Sequence, residues 1–314
     1  MPGVLLCGCD VISLSCAGHK AAAMTHLAAP LFSFGIIADP QYADIEPKPD
    51  MGRYYANSPR KLDAAIETMN GEDLAFVVTL GDLVDRDWKS FDAILACYDK
   101  LRHRSVLLPG NHDFAVDAEK LPDVYQRLGM PSPWHDFAEQ GVRFIVLDGS
   151  DVSLFAPERH DPRREIAATR LETLQAVGAI NAQTWNGSLS DEQFDWLENT
   201  LEDAARLNQK VVIFCHYPVF PDNAHNLWDT PRILSLLADH DCFVAWFCGH
   251  NHVGNYGEID GKHFLNFKGM VDTPDENTFA IADVYVDRIE IRGFCREDSR
   301  TLSFDSSQTL VFGV

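Results

Sequence analysis

Residues 79–113, TLGDLVDRDWKSFDAILACYDKLRHRSVLLPGNHD, decide the fold. An apolar run over residues 74–80 stops at Gly81-Asp82, and a second, over 106–108, leads through Pro109 to Gly110-Asn111-His112-Asp113. Between them Phe91, Ile94, Leu95, Tyr98 and Leu101 recur at helical spacing. The pattern predicts strand, helix, strand. A right-handed crossover of this kind leaves both strand ends on one edge of a parallel sheet. Side chains just past those ends share a crevice. Asp82, Asn111, His112 and Asp113 are therefore expected in one place, and a carboxylate, an amide and an imidazole converging there point to a metal site. The glycines fit this reading, because a ligand directly after a buried strand needs a sharp turn and close backbone approach.

The same punctuation recurs outward along the chain. Residues 31–38, LFSFGIIA, end in Asp39-Pro40-Gln41. Residues 211–215, VVIFC, end in His216-Tyr217-Pro218, and 243–248, FVAWFC, in Gly249-His250-Asn251-His252. Taken singly, an Asp after a strand is a turn residue or helix cap, and a lone His is a satisfied core histidine. Five strand ends choosing Asp, Gln, Asn and His in turn are not explained by independent caps.

The remaining segments fill in the layers. Ser58-Pro59 reads as N-cap and first residue of a helix with Leu62, Ala65, Ile66 and Met69 on its apolar face. A short helix is expected over 118–129 and a strand over 142–147. Ser190-x-x-Gln193 reads as a capping box opening a helix that turns Phe194, Leu197, Leu201 and Ala205 to one side. Thr230-Pro231 starts another helix, and residues 263–267, 278–286 and 288–294 read as late strands. The charged cluster at 158–165 reads as an inserted surface excursion, a candidate lid. Early strands alternate with helices and later ones form hairpins, which predicts an α/β fold of two stacked mixed sheets flanked by helices. The expected domain spans 31–295, with 1–30 an extension outside the fold (Met24 a natural start) and 296–314 a tail.

Composition narrows the partners. A net charge of −21 over 314 residues argues against nucleic acid or an anionic membrane, since both need a basic face. No stretch approaches the ~18 apolar residues of a membrane span. The eight cysteines include no CxxC pair, and several sit inside apolar segments as buried thiols do. A reduced, cytoplasmic setting is expected, with a small-molecule substrate and a monomeric chain.

Taken together, D-x-Q, GD, GNHD, H and GHxH over residues 31–252 resemble the calcineurin-like metallophosphoesterases. IADPQYAD, GRYYANS, TWNGSLSDEQFDWLENTL and GMVDTPDENTFAIADVYVDRIEIRG are similar to the manganese-dependent ADP-ribose/CDP-alcohol diphosphatases, with Gln41 where most of the superfamily has His. The resemblance implies a four-layer αββα fold and two divalent ions, manganese first, with iron, zinc or magnesium as other candidates. It implies one ion on Asp39, Gln41 and His252, the other on Asn111, His216 and His250, and Asp82 bridging them. It implies His112 beside the metals as the proton donor, its ring oriented by Asp113. Two such ions clamp a phosphoryl group and activate water, and an imidazole can serve the leaving oxygen. Substrate contacts are expected from Arg53, Tyr54, Tyr55, Arg86, Asn186 and Asn277. The implied reaction cleaves the phosphoanhydride of a nucleoside diphosphate conjugate, giving a nucleoside monophosphate and a phosphorylated product. The alternatives are a phosphodiesterase or phosphomonoesterase of the same superfamily, acting on a cyclic nucleotide or a non-nucleotide ester, and a metal-bound non-catalytic scaffold.

Overall fold

The apolar runs become strands and the three-and-four patterns become helices. β1 (Phe32–Ile37) leads to α1 (Ser58–Met69), then β2 (Phe76–Leu80), α2 (Ser90–Tyr98) and β3 (Arg104–Leu108). The structure, a computed structural model, describes residues 29–304; expectations for 1–28 and 305–314 lie outside the described residues. Next come α3 (Val124–Arg127), β4 (His135–Glu139), β5 (Val142–Val146), α4 (Arg163–Ala176), α5 (Asp191–Arg206), β6 (Lys210–Phe214), α6 (Thr230–Ala238) and β7 (Phe243–Cys248). β8 (Asn255–Ile259), β9 (Lys262–Asn266), β10 (Thr278–Val284), β11 (Arg288–Cys295) and β12 (Arg300–Ser303) complete the described residues.

The strands form two six-stranded mixed sheets, ordered β12-β11-β10-β1-β2-β3 and β4-β5-β6-β7-β9-β8. β1, β2 and β3 are parallel, as are β5, β6, β7 and β9. Alternation along each strand divides the core. Phe34, Phe76, Phe144, Phe214 and Phe247 meet between the sheets. Phe34 stacks on Phe76 at 4.8 Å and meets Phe144 edge-on at 5.3 Å, geometries worth about 0.5–1.5 kcal/mol each beyond burial. Val77 and Ile37 face outward against Leu62, Ile66, Phe91 and Ile94 of α1 and α2. Ile213 and Trp246 face outward against Leu197, Leu201, Ile233 and Leu237 of α5 and α6. This is the expected helix-sheet-sheet-helix layering. Among the described residues no helix is long and apolar enough to cross a membrane.

Several details depart from expectation. β4 and β8 were not predicted; they are edge strands, only half-buried, so they lack an apolar run. The excursion at 158–165 is the anchored start of α4 and not a free lid. Arg163 donates to Asp151 and Asp161 at 2.6 Å, and Arg164 donates to the carbonyls of Leu154, Phe155 and Pro157. α4 then buries Ala167 and Leu171 with Val152 and Trp228. Ser58 is the first helical residue, not the cap, and its buried hydroxyl has no partner. Ser190 does cap α5, accepting from Gln193 N at 3.2 Å. The Gln193 side chain instead clasps the backbone of Asp148, so only half of the capping box forms. On α5 it is Ala204, not Ala205, that is buried.

The first sheet also runs past residue 295, where the domain was expected to end. β12 pairs with β11 from Arg300↔Ile291 to Ser303↔Arg288, and Leu302 is fully buried in the inter-sheet core. Leu302→Ala should therefore destabilise the protein by about 2–5 kcal/mol. Urea unfolding monitored by tryptophan fluorescence measures this, and a change below about 0.5 kcal/mol would place 300–303 outside the core.

Candidate metal centre

The carboxyl ends of the parallel strands in both sheets meet along one edge. β1 delivers Asp39 and Gln41, β2 delivers Asp82 and β3 delivers Asn111 and His112; from the second sheet β6 delivers His216 and β7 delivers His250 and His252. The approach needs glycine. A Cβ on Gly110 would lie 2.6 Å from the His216 ring, and one on Gly249 would lie 2.6 Å from an Asp39 oxygen. Asp39, Gln41, Asp82 and His250 all adopt positive φ, at 48°, 45°, 50° and 68°. For side chains other than glycine this costs on the order of 1–3 kcal/mol each, a strain that collects at functional sites.

The ligand atoms form two triads. Asp82, His216 and His250 present three atoms within 4.8 Å of one another, and so do Asp39, Asp82 and His252. Asp82 belongs to both. Gln41 and Asn111 supply amides at the flanks, Asn111 Oδ1 lying 3.3 Å from His216 Nε2. Two buried oxygens, Gln41 Oε1 and Asp82 Oδ2, have no hydrogen-bond partner. Orphaned buried acceptors are costly, and a bound cation is what such oxygens fit. The donor set of carboxylates, amide oxygens and imidazoles could hold two divalent ions with Asp82 between them.

Each histidine has one nitrogen occupied from outside, which leaves the other for the centre. His216 Nδ1 donates to Leu80 O at 2.8 Å, leaving Nε2 3.4 Å from Asp82 Oδ2. His252 Nδ1 donates to Asp272 Oδ1 at 3.1 Å, leaving Nε2 3.6 Å from Asp39 Oδ1. His250 Nε2 donates to Asn186 Oδ1 at 2.9 Å. The Asn186 amide cannot be reversed, since its Nδ2 donates to Asn181 O and Ala224 O. Gln41 is oriented in the same way: Nε2 donates to Asp85 Oδ1 at 3.1 Å, so Oε1 faces inward.

Charges follow this packing. Burial pushes the Asp39 carboxyl up from its ordinary value. Burial also opposes the charge on Asp82, but His216 and His112 outweigh it and hold that carboxyl below the usual range. Burial would lower His216, yet Asp82 and Asp39 raise it to about 9. Burial beside His216 holds His250 well below its ordinary value.

The structure corrects the partner of His112. Asp113 does not meet its ring. Asp113 is fully buried and accepts from Val84 N at 3.0 Å and Gly110 N at 2.9 Å, which braces the turn. Burial and Asp82 raise its carboxyl to about 7. The ring of His112 instead lies 3.2 Å from both the backbone oxygen and Oδ1 of Asp85. Burial works against its charge, but Asp82 and Asp85 prevail and lift it to about 9. Asp85 is the second Asp of GDLVD, so the signal was in the motif although its role was not.

The substrate candidates are redistributed too. Asn186 is buried behind His250. Asn277 spends its amide on Lys61 O and Thr278 N. Tyr55 packs into a small core with Ala43 and Val271. All three are buried. Arg53 pairs with Asp272, which in turn holds His252, and Arg86 donates to Asp85 Oδ2 at 2.5 Å. Tyr54 is half-buried, with its backbone N–H on Val271 O. Sequence reasoning missed Asp272, inside the DTPDENTF segment, and His225, whose ring meets that of His250 edge-on at 5.1 Å. Nothing in the local sequence marked His225.

A family model described as calcineurin-like phosphoesterase matches residues 32–254. Curated relatives named manganese-dependent ADP-ribose/CDP-alcohol diphosphatase align over most of both chains. The Xenopus tropicalis protein is 32% identical over 88% of this chain and 95% of its own. The human protein is 30% identical over 87% and 93%, and that of Arabidopsis thaliana 30% over 86% and 96%. Among solved structures, a dimetal phosphatase from Danio rerio superposes with a TM-score of 0.79 at 26% identity, covering 88% of this chain and all of that one.

Three outcomes follow from the geometry. Asp82→Ala should lose both metals together, and elemental analysis showing one fully occupied ion would contradict a shared ligand. Asp113→Ala should cost stability, because two buried N–H groups lose their acceptor at about 1–3 kcal/mol each. Asp85→Ala should instead lower kcat about tenfold or more, beyond the stability it costs by leaving the buried Gln41 amide without its acceptor. Reversed results would return Asp113 to the role of His112's partner.

Proposed function

The chain belongs to the calcineurin-like phosphoesterase family, together with the manganese-dependent ADP-ribose/CDP-alcohol diphosphatases, and on that premise we propose that it is a dinuclear hydrolase of nucleoside diphosphate conjugates. Such substrates include ADP-ribose and CDP-alcohols, and the products are a nucleoside monophosphate and a phosphorylated second part. The observation that carries this reading is the pair of ligand triads sharing Asp82, flanked by a histidine that belongs to neither. In our assignment Asp39, Gln41 and His252 hold one ion, Asn111, His216 and His250 the other, and Asp82 both. The ions would supply charge neutralisation of the attacked phosphoryl group and activation of the water that adds to phosphorus.

The protein side of the reaction rests on His112. It stands beside Asp82, with its backbone N–H donating to Asp82 Oδ1 at 2.8 Å and its ring held by Asp85. A water oxygen joins phosphorus, the bridging P–O bond breaks, and the leaving phosphate oxygen takes a proton or hydrogen bond from the imidazole. A phosphate departs more readily than a simple alkoxide, so one such group suffices for an anhydride. Gln41 supports manganese: its amide oxygen is a harder, neutral donor, and oxygen-rich sites suit manganese and magnesium, whereas a further imidazole suits zinc or iron. Both triads and the groups orienting them come from one chain, which supports a monomer as the working unit. Five free thiols among the described residues, with Cys295 exposed, support a reduced, cytoplasmic setting.

The test is kcat/KM under identical manganese conditions for ADP-ribose, a CDP-alcohol, a cyclic nucleotide and an aryl phosphate. The conjugates should lead. If the cyclic nucleotide or aryl phosphate leads by more than about tenfold, some 1.4 kcal/mol of transition-state preference, the diphosphatase assignment fails and only the broader phosphoesterase one stands.

A further inference from the structure

His225 is bound into the centre without belonging to either triad. It lies in the segment between β6 and α6, and its ring meets the His250 ring edge-on at 5.1 Å. The segment is fastened from within: Asn223 Oδ1 accepts from His225 N at 2.8 Å, and Asn223 Nδ2 donates to Pro221 O at 2.7 Å and Asn226 Oδ1 at 2.6 Å. It is also fastened to the metal centre. Asn186, which accepts from His250 Nε2, donates to the carbonyl of Ala224, the residue preceding His225. One amide thus fixes both rings relative to each other. His225 is half-buried, and His252, His216 and Arg53 stand within electrostatic reach of its ring. Among the described residues neither of its ring nitrogens has a hydrogen-bond partner, whereas the ring of His112 is engaged by Asp85.

A positioned imidazole with free nitrogens at the rim of a phosphate-handling centre is built to meet a ligand. His112 borders the Asp82–Asp85 side and His225 the His250 side. A diphosphate has a second phosphate that the two ions need not hold, and a monoester has none. We propose that His225 is a substrate-contacting residue whose ring N–H donates to the phosphate that is not attacked, selecting diphosphates over monoesters. This rests on the diphosphatase reading above.

The test uses the manganese-loaded full-length chain with His225→Ala and His225→Asn, ADP-ribose and an aryl phosphate. His225→Ala should lower kcat/KM for ADP-ribose about ten- to a hundredfold, as expected for losing a hydrogen bond to a charged group. The aryl phosphate should change less than about threefold, and the manganese content not at all. His225→Asn keeps a donor and should recover part of the loss on ADP-ribose alone. An equal loss on both substrates, or none on either, overturns the proposal, because a merely structural histidine would not move the ratio. Should His225→Ala fold poorly, the same ratio measured with His225→Asn decides. If the wild-type chain does not hydrolyse ADP-ribose or a CDP-alcohol, the diphosphatase reading itself falls and takes this one with it; an active wild type with an unchanged ratio defeats the His225 assignment alone.

Discussion

The carboxylate of Asp82 is the interaction on which the rest depends. It is fully buried, shared by two triads, and only one of its oxygens has a hydrogen bond. Asp39, Asp85 and Asp113 are buried nearby. Burying this much negative charge is affordable only with positive charge among it. The imidazole of His112, raised to about 9, supplies part; that of His216 would do so only until an ion takes its Nε2. Divalent ions would supply the remainder and use the two oxygens left without partners.

Everything around Asp82 serves to bring those charges together. Two sheets stack face to face through a wall of phenylalanines, and that packing sets the carboxyl ends of β1, β2 and β3 against those of β6 and β7. Neither sheet alone holds a complete triad. Asp82 comes from the first sheet, His216 and His250 from the second, and Asp39 reaches across to accept from His250 N at 3.1 Å. The inter-sheet core thus acts on function directly, since a shift of one sheet would separate the ligands. The positive φ at Asp39, Gln41, Asp82 and His250 fits this picture, because each chain must turn sharply where its strand stops.

The candidate ligand set was legible because its signal is local. A buried strand is an apolar run, and a candidate ligand is the polar residue that ends it, so Asp39, Asp82, Asn111, His216 and His250 could be read one strand at a time. The groups that orient those ligands are not local in the same sense. Asp85 holds Gln41 from forty-four residues away, and Asp272 holds His252 from the loop after β9. Sequence shows that these residues are acidic and near a motif, but not where their oxygens point. The same blindness misplaced Asn186, Asn277 and Tyr55, which are polar or aromatic in site-adjacent loops yet turned inward. β4, β8 and α4 escaped for a different reason: they bury too few side chains to leave an apolar period.

His112 shows how sequence proximity misleads about pairing. Asp113 is its neighbour in the chain, but after Asn111 the backbone enters a short 3-10 turn, and consecutive side chains of such a turn diverge. Asp113 therefore points back into the protein and closes the turn on Gly110 and Val84, while the ring of His112 emerges towards Asp85 on the neighbouring strand end. The division has a physical advantage. A buried carboxylate spent on two backbone N–H groups makes the turn rigid, whatever the state of the imidazole. A separate carboxylate then holds the imidazole, and because Asp85 also receives the Gln41 amide and the Arg86 guanidinium, its charge is anchored from three sides. If the His112 imidazole gave up its proton, Asp85 would still be paired with Arg86, so no buried charge would be stranded.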